Sequence, residues 1–295
     1  MKIVILGSTG RLGRQLVQTF EQANCDVCAL SKRQVNLLKA PEVDTMLGFQ
    51  KPDWVINATG WTDVEQAENH REEAFALNAL AVGYLAKQCA QRDVRLLQFS
   101  SDYVFGDAGS EPHYEEDALD PHGVYAQSKA MGETLVGESG VRGLIVRAGW
   151  LHQGENDFVE SILGSLLHGK PLSLTDSQWG KPSSIQGLAT WVFDLLMTQA
   201  TIDTCGIRHY VEAGPFITPL DWARVLVKLA NQKKSSDMLP QGFSEALIEP
   251  RSSLELFRPK NCRLATHYAH PLTQSWLSAV EKSVEHFMAR AGICG

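Results

Sequence analysis

Tyr125 and Lys129 stand four positions apart in Tyr125-Ala126-Gln127-Ser128-Lys129, a spacing that puts both side chains on one face of a helix. A phenol with its ordinary pKa near ~10 is a poor proton shuttle at neutral pH. A neighbouring ammonium stabilises the phenolate, lowers that pKa and makes the tyrosine a usable acid or base. Alone, Y-x-x-x-K is a common exposed helical pair. Upstream, Phe99-Ser100-Ser101-Asp102-Tyr103-Val104-Phe105 closes a predicted strand with two hydroxyls. A hydroxyl such as that of Ser101 can hydrogen-bond a substrate carbonyl oxygen and stabilise the negative charge developing on it. Serine is otherwise a routine turn residue at a strand end.

A third group lies at the N-terminus, where Gly7-Ser8-Thr9-Gly10-Arg11-Leu12-Gly13 spaces its glycines as G-x-x-G-x-x-G between a strand and a helix. The missing side chains permit a sharp turn and a close approach of pyrophosphate to the backbone. The helix start offers free N–H groups and a partial positive charge. Gly7, Thr9, Gly10, Arg11, Leu12 and Gly13 are therefore candidate dinucleotide contacts. At the end of the second predicted strand an NAD-selective site usually carries a carboxylate for the ribose 2′-hydroxyl. Here Leu30-Ser31-Lys32-Arg33 offers a hydroxyl and two cations. Ser31, Lys32 and Arg33 suit a 2′-phosphate and favour NADPH, with NADH as the second option. Glycine turn, strand-end serine and Tyr/Lys pair, in that order, read as a carbonyl reductase site.

These groups need a scaffold that brings strand ends together. Residues 2–6 form a short continuous apolar run, as in a parallel strand buried on both faces. Strands are expected at 27–30, 54–58, 95–100 and 143–147, alternating with helices at 13–23, 42–49, 72–92 and 125–137. The helix 72–92 is read as one unbroken element with Phe75, Leu77, Ala81, Leu85 and Ala86 facing inward. Such alternation implies an α/β fold with a doubly wound parallel Rossmann sheet, whose ligands sit at the carboxyl ends of the strands. After Trp150 the rhythm changes. Helices are expected at 158–167, 185–198, 220–231 and 272–291, with a loop at 176–183, a strand at 209–212 and a polar stretch at 232–237. Pro240, Pro250 and Pro259 punctuate the segment before the last helix. Residues 1–150 are read as the NAD(P)-binding domain, and 151–295 as a smaller substrate-binding lobe with segments returning to the main domain.

Bulk properties narrow the class. The chain has 295 residues, 44% hydrophobic and 21% charged, ordinary for a soluble globular protein. A net charge of −7 argues against a nucleic-acid backbone or an anionic membrane as partner. No apolar run reaches the ~18 residues of a spanning helix, and the start runs into a strand without signal architecture. The six cysteines are scattered and read as free thiols in the cytoplasm. Cys25 and Cys28 have C-x-x-C spacing but no second pair, and Cys28 sits inside a predicted strand. No metal site is expected: His267 and His270 lack acidic or cysteine partners at ligand spacing, and the histidines read as surface residues. Glu115-Glu116-Asp117 reads as a solvated edge, and Glu65 and Glu68 as exposed or structural.

On these motifs the chain resembles the extended short-chain dehydrogenase/reductases, and among them the dTDP-4-dehydrorhamnose reductases. The matching stretches are the glycine turn, Lys51-Pro52-Asp53-Trp54-Val55-Ile56-Asn57-Ala58, Val64-Glu65-Gln66-Ala67-Glu68, Leu77-Asn78-Ala79, Ser100 to Phe105 and Tyr125 to Lys129. They continue with Arg147-Ala148-Gly149-Trp150, Gly180-Lys181-Pro182-Ser183 and Arg258-Pro259-Lys260-Asn261. The resemblance implies reduction by NAD(P)H of the C4 ketone of a nucleotide-linked 4-keto-6-deoxy sugar by a monomer or homodimer. It implies that Gly7, Gly10 and Gly13 hold the pyrophosphate, while Ala58, Thr59 and Gly60 lie along the cofactor ribose. Ser101 would orient the ketone, Tyr125 protonate its oxygen, and Lys129 tune Tyr125 and bind the nicotinamide ribose. Asp102, Tyr103, Trp150 and Arg258 would shape the sugar-nucleotide pocket.

Three departures bear on specificity. Trp61 stands where the family usually has tyrosine or histidine. Gln15 replaces an acidic residue that helps some members bind magnesium. Ala148-Gly149 replaces a threonine–serine pair. An NAD-retaining epimerase and a non-catalytic sugar-nucleotide-binding regulatory subunit stay open as alternatives. The dehydratases are disfavoured, because no acidic pair stands in place of Ser101-Asp102.

Overall fold

The computed structural model describes residues 1–107, 109–154, 157–198, 205–234, 242–251, 257–268 and 275–293. The strands are β1 (Lys2–Leu6), β2 (Asp26–Leu30), β3 (Trp54–Asn57), β4 (Arg95–Ser101), β5 (Gly143–Ala148), β6 (Leu151–His152), β7 (Leu172–Thr175), β8 (Ser183–Ser184), β9 (Cys205–His209) and β10 (Ile248–Arg251). The helices are α1 (Arg11–Gln22), α2 (Ala40–Gln50), α3 (Val64–Asn69), α4 (Arg71–Phe75), α5 (Ala81–Gln91), α6 (Gly123–Glu138), α7 (Phe158–Leu167), α8 (Ile185–Thr198), α9 (Pro219–Lys233) and α10 (Trp276–Ala291).

Six strands form one sheet in the order β2-β1-β3-β4-β5-β9, parallel throughout. Ile3, Val4, Ile5 and Leu6 of β1 are buried, which is why the strand is apolar without alternation: helices cover both faces. On one face Leu16 and Phe20 of α1 and Leu188, Trp191 and Val192 of α8 pack on Ile3, Ile5, Ile56, Leu97 and Val146. On the other, Val43 and Leu47 of α2 and Val82, Leu85 and Ala86 of α5 meet Val4, Leu6, Val55, Leu96 and Ile145. A separate core joins α7, α9 and α10 through Ile162, Leu166, Trp222, Leu226, Val280 and Val284. Register aligns Leu6 with Leu30 and Asn57, and Ser101 with Ala148. The carboxyl ends thus gather along one edge, where the glycine turn and Ser101 sit.

Four expectations change. The helix read over 72–92 is α4 and α5 joined by a π turn at Ala76–Leu80; an extra residue in one turn leaves the apolar stripe nearly intact, so periodicity misses it. The strand read at 209–212 is β9, Cys205–His209. Tyr210 and Glu212 bond each other, and Glu212 accepts from the Ser184 N–H, instead of extending the sheet. Glu115 is buried and accepts from His209 and Thr266, so of the acidic run only Glu116 is exposed, Asp117 being half-buried. His113, His152 and His209 are buried rather than at the surface. Pro240, His270, Cys294, the second half of the polar stretch 232–237 and the start of the last helix read from 272 lie outside the described residues.

Candidate active site

The glycine turn is closed by backbone alone. Gly7 has φ +75°, and a Cβ there would lie 2.8 Å from the Ala58 carbonyl oxygen. A Cβ on Gly13 would lie 2.1 Å from the Gly7 oxygen, so α1 is pressed onto the end of β1. Gly10 precedes α1 without a side-chain cap, and no acidic residue occupies the first turn. The first N–H groups of a 12-residue helix therefore face outward with their partial positive charge. This cradle fits a pyrophosphate. The Arg11 side chain runs instead beside Gly154 and toward Asp157, and Leu12 packs on the core of the sheet. Both residues can offer the turn only their backbone. Thr9, Ser31, Lys32, Arg33, Asn36 and Lys39 line an open depression of about 770 Å³ next to it. The carboxylate there, Glu42, is engaged by the Asn36 N–H and by Lys39.

A buried amide pair fixes the loop after β3. Asn57 Nδ2 donates to Gln98 Oε1 at 2.7 Å, and Asn57 Oδ1 accepts from the Thr59 N–H and hydroxyl. Asn78, in the π turn, accepts from the Trp61 N–H at 2.8 Å and donates to the Trp61 carbonyl and to Ser128 Oγ at 3.0 Å. One side chain thus ties Trp61, and the Gly60 beside it, to α6. A Cβ on Gly60 would lie 3.1 Å from Lys129 Nζ, which places the lysine directly against this loop.

Tyr125 and Lys129 face the same side of α6 and are both buried. Their coupling differs from expectation. Lys129 Nζ donates toward the Phe99 carbonyl at 3.4 Å and is not among the influences on Tyr125, whose pKa burial pushes up to about 12, with Ser101 opposing. Burial lowers Lys129 to about 8, Glu133 opposing. The phenol is consequently a firmly protonated acid at neutral pH rather than a near-phenolate. Below it, Glu133 receives a bidentate contact from Arg147, with Nη2 at 2.6 Å and Nε at 2.9 Å. This buried pair bolts α6 to β5.

Behind the tyrosine lies a floor of side chains from distant segments. Ser101 Oγ accepts from the Tyr103 N–H at 3.2 Å and donates to Asp102 Oδ1 at 2.9 Å. Burial raises Asp102 to about 7, with Ser101 opposing. The Tyr103 and Tyr125 rings meet edge to face at 5.7 Å. Tyr103 OH accepts from Gln178 Nε2 at 3.1 Å and from Arg258 at 3.4 Å, and Gln178 also donates to the Pro259 carbonyl and to Cys262 Sγ. Arg258 continues to Glu65 at 2.8 Å, while Glu68 accepts from the Val124 N–H at the start of α6. Trp61 and Trp150 pack on the Tyr103–Tyr125 cluster. Trp150 has φ +43°, an outlier for so bulky a residue, held by Ser183 donating to its carbonyl and by stacking on Trp222 at 6.0 Å.

The structure therefore gathers Ser101, Asp102, Tyr103, Tyr125, Lys129, Trp150 and Arg258 in one region, with Gly60 against Lys129. It sets Ser31, Lys32 and Arg33 apart, beside Thr9. Asn57, Asn78, Gln98, Glu133, Gln178 and Cys262 escaped the sequence reading. Asn57 and Asn78 carried a signal, inside the Lys51 to Ala58 and Leu77-Asn78-Ala79 matches. Gln15 donates to Thr19 within α1 at 3.4 Å. Among the described residues no helix is long and apolar enough to cross a membrane.

Residues 1–292 match the family described as RmlD substrate binding domain. Over 72% of this chain and 74% of its own length, the spore coat polysaccharide biosynthesis protein SpsK of Bacillus subtilis is 31% identical. A dTDP-4-dehydrorhamnose reductase of Mycobacterium tuberculosis is 33% identical over 71% of this chain and 68% of its own. Among solved structures, dTDP-4-dehydrorhamnose reductase from Bacillus anthracis in complex with NADP superposes with a TM-score of 0.82 at 23% identity, covering 98% of this chain and 100% of that one.

Proposed function

The chain belongs to the RmlD substrate binding domain family, and on that premise we propose that it is an NADPH-dependent reductase acting on the C4 ketone of a nucleotide-linked 4-keto-6-deoxy sugar. The observation that carries this is a buried Tyr125 one helical turn from a buried Lys129 and beside a buried Ser101, where burial raises the phenol's pKa. A reduction needs an acid that still holds its proton when negative charge reaches the carbonyl oxygen, and Tyr125 meets that need. The cofactor, when bound, supplies the hydride. Gly7, Gly10 and Gly13 and the start of α1 would hold its pyrophosphate, and Thr9, Ser31, Lys32 and Arg33 a 2′-phosphate. Ala58, Thr59, Gly60 and Lys129 would hold the ribose next to the nicotinamide. Ser101 hydrogen-bonds the ketone and orients it; Tyr125 gives its phenolic proton to the oxygen. Tyr103, Trp150 and Arg258 shape the sugar-nucleotide pocket.

We assign cofactor binding to residues 1–150 and substrate binding to 151–295, from which α8 and β9 return to the main sheet. The setting proposed is the cytoplasm, in keeping with the unpaired state of Cys25, Cys28, Cys89, Cys205 and Cys262, and the protein acts as a monomer or homodimer. The test is oxidation of NADPH and of NADH with a dTDP-linked 4-keto-6-deoxy sugar, comparing wild type with Tyr125→Phe. Loss of the general acid lowers kcat by ~10²–10⁴-fold while NADPH binding, read by fluorescence, is retained. Equal rates in the two proteins would refute the assignment.

A further inference from the structure

The hydrogen-bond arithmetic at Ser101 makes a demand that the reductase reading does not itself meet, and the role inferred for Asp102 rests on that reading. A serine hydroxyl has one hydrogen and two acceptor lone pairs. In this structure the hydrogen goes to Asp102 Oδ1 at 2.9 Å, and one lone pair takes the Tyr103 N–H. A hydroxyl whose hydrogen is committed to a carboxylate has none to give a ketone.

The surroundings of Asp102 decide which way that bond runs. The residue is 2% exposed. Its Oδ2 has no hydrogen-bond partner and is pressed against Gly149, where a Cβ would come within 2.2 Å of it. Around it stand Tyr103 on its own turn, Tyr125 from α6, and the Cys262 thiol from the segment 257–268. The guanidinium in this region, Arg258, is spent on the Tyr103 hydroxyl and Glu65, and among the described residues no cation figures among the influences on Asp102. With no cation at hand and Oδ2 left without a partner, burial outweighs Ser101, the Cys262 thiol and the Asp102 and Tyr103 N–H groups, which favour the charged form, and the carboxyl keeps its proton to higher pH than an ordinary aspartate.

We propose that Asp102 is a positioning residue that works in its protonated form, its carboxyl O–H donating to Ser101 so that the serine hydrogen turns to the substrate ketone. The Asp102 O–H and the Tyr103 N–H then fill both lone pairs of Ser101 Oγ, and the serine hydrogen is left for the Tyr125 oxygen beside it or, with substrate in place, for the ketone. Asp102 gives up no proton in the reaction; it sets the polarity of the hydroxyl that does the polarising. Deprotonation reverses that hydroxyl and withdraws the hydrogen bond from the ketone. The competent form is therefore the acidic one, present below the folded-state pKa and lost as pH rises through it. Burial sets that transition near neutrality.

The experiment is the pH profile of kcat with NADPH and a dTDP-linked 4-keto-6-deoxy sugar. In the wild type the alkaline fall begins near neutrality. In Asp102→Asn the amide donates to Ser101 at every pH, and the fall moves up by about one unit to the limit set by Lys129, which burial holds at about 8. An alkaline fall at the same pH in both proteins overturns the proposal. If Asp102→Asn folds poorly, Ser101→Ala asks the same question: its residual rate loses the neutral fall, and retention of that fall overturns the proposal. Infrared spectroscopy needs no turnover. The wild type in mildly acidic buffer shows a neutral carboxyl C=O band that is absent from Asp102→Asn and fades as pH is raised through neutrality. Absence of the band from the wild type overturns the proposal whatever the activity, whereas the band without turnover counts against the reductase reading alone.

Discussion

The glycine turn and the floor beneath Tyr125 face the same edge of the sheet but are made of different material. The turn is backbone: Gly7 to Gly13 are contiguous, and their selectivity lies in what would collide if a side chain were added. The floor is side chain: Ser101, Asp102, Tyr103, Tyr125, Gln178, Arg258 and Cys262 come from four stretches of chain and are joined by hydrogen bonds across long sequence separations, 155 positions between Tyr103 and Arg258. A backbone cradle recognises what every dinucleotide shares, a pyrophosphate, and tolerates wide change around it. A side-chain floor recognises one substrate, and each member depends on its neighbours for its polarity. The difference teaches where specificity can drift in this fold: in the floor, with the turn unchanged.

Three substitutions test that separation. Arg147→Leu should be the most damaging, since it leaves Glu133 buried without its partner. A loss of about 3–5 kcal/mol is expected, read from the urea midpoint, and it should lower affinity for NADPH and for the sugar together because α6 serves both regions. Gly13→Ala comes next. Its Cβ would meet the Gly7 carbonyl at 2.1 Å, and relief of that contact should cost ~1–3 kcal/mol, or about 10–100-fold in NADPH Kd, with the infrared carboxyl band of Asp102 untouched. Gln178→Leu is the smallest and the mirror image. It strips the Tyr103 hydroxyl and Pro259 carbonyl of a donor, worth about 1–3 kcal/mol, and raises the sugar KM roughly tenfold while NADPH Kd stays as it was. If Gly13→Ala and Gln178→Leu each disturb both ligands equally, the two regions are one unit and the contrast fails.

The same contrast explains what the sequence could disclose. Strand–glycine–helix grammar is local, so the turn, the positions of the first five sheet strands and the pairing of Tyr125 with Lys129 on α6 are legible within short windows. Ser101 is legible because it ends a strand. Cys262 reads as a stray thiol and Gln178 as a loop residue, because neither neighbourhood in the chain announces the contact with Tyr103. Asn78 hides for another reason: a single widened turn aims it at Trp61 and Ser128, and a periodicity of 3.6 barely registers one extra residue. The electrostatics were the least legible. Proximity of Lys129 in sequence suggests a softened tyrosine, but Lys129 exerts no such influence and burial, invisible in a sequence, raises the phenol instead.

The last strand of the main sheet also has a consequence in time. β5 pairs on its outer edge with β9, which leaves the ribosome roughly 60 residues later, several seconds at ~5–20 residues per second. Through that interval β5, wholly buried in the finished molecule, is an open apolar edge of the kind that recruits other strands. Synthesis of this chain thus passes through a stage when its sheet is complete enough to form and not yet closed. Slowed translation between Ala148 and Cys205 should raise the demand for chaperones far more than an equal delay after His209.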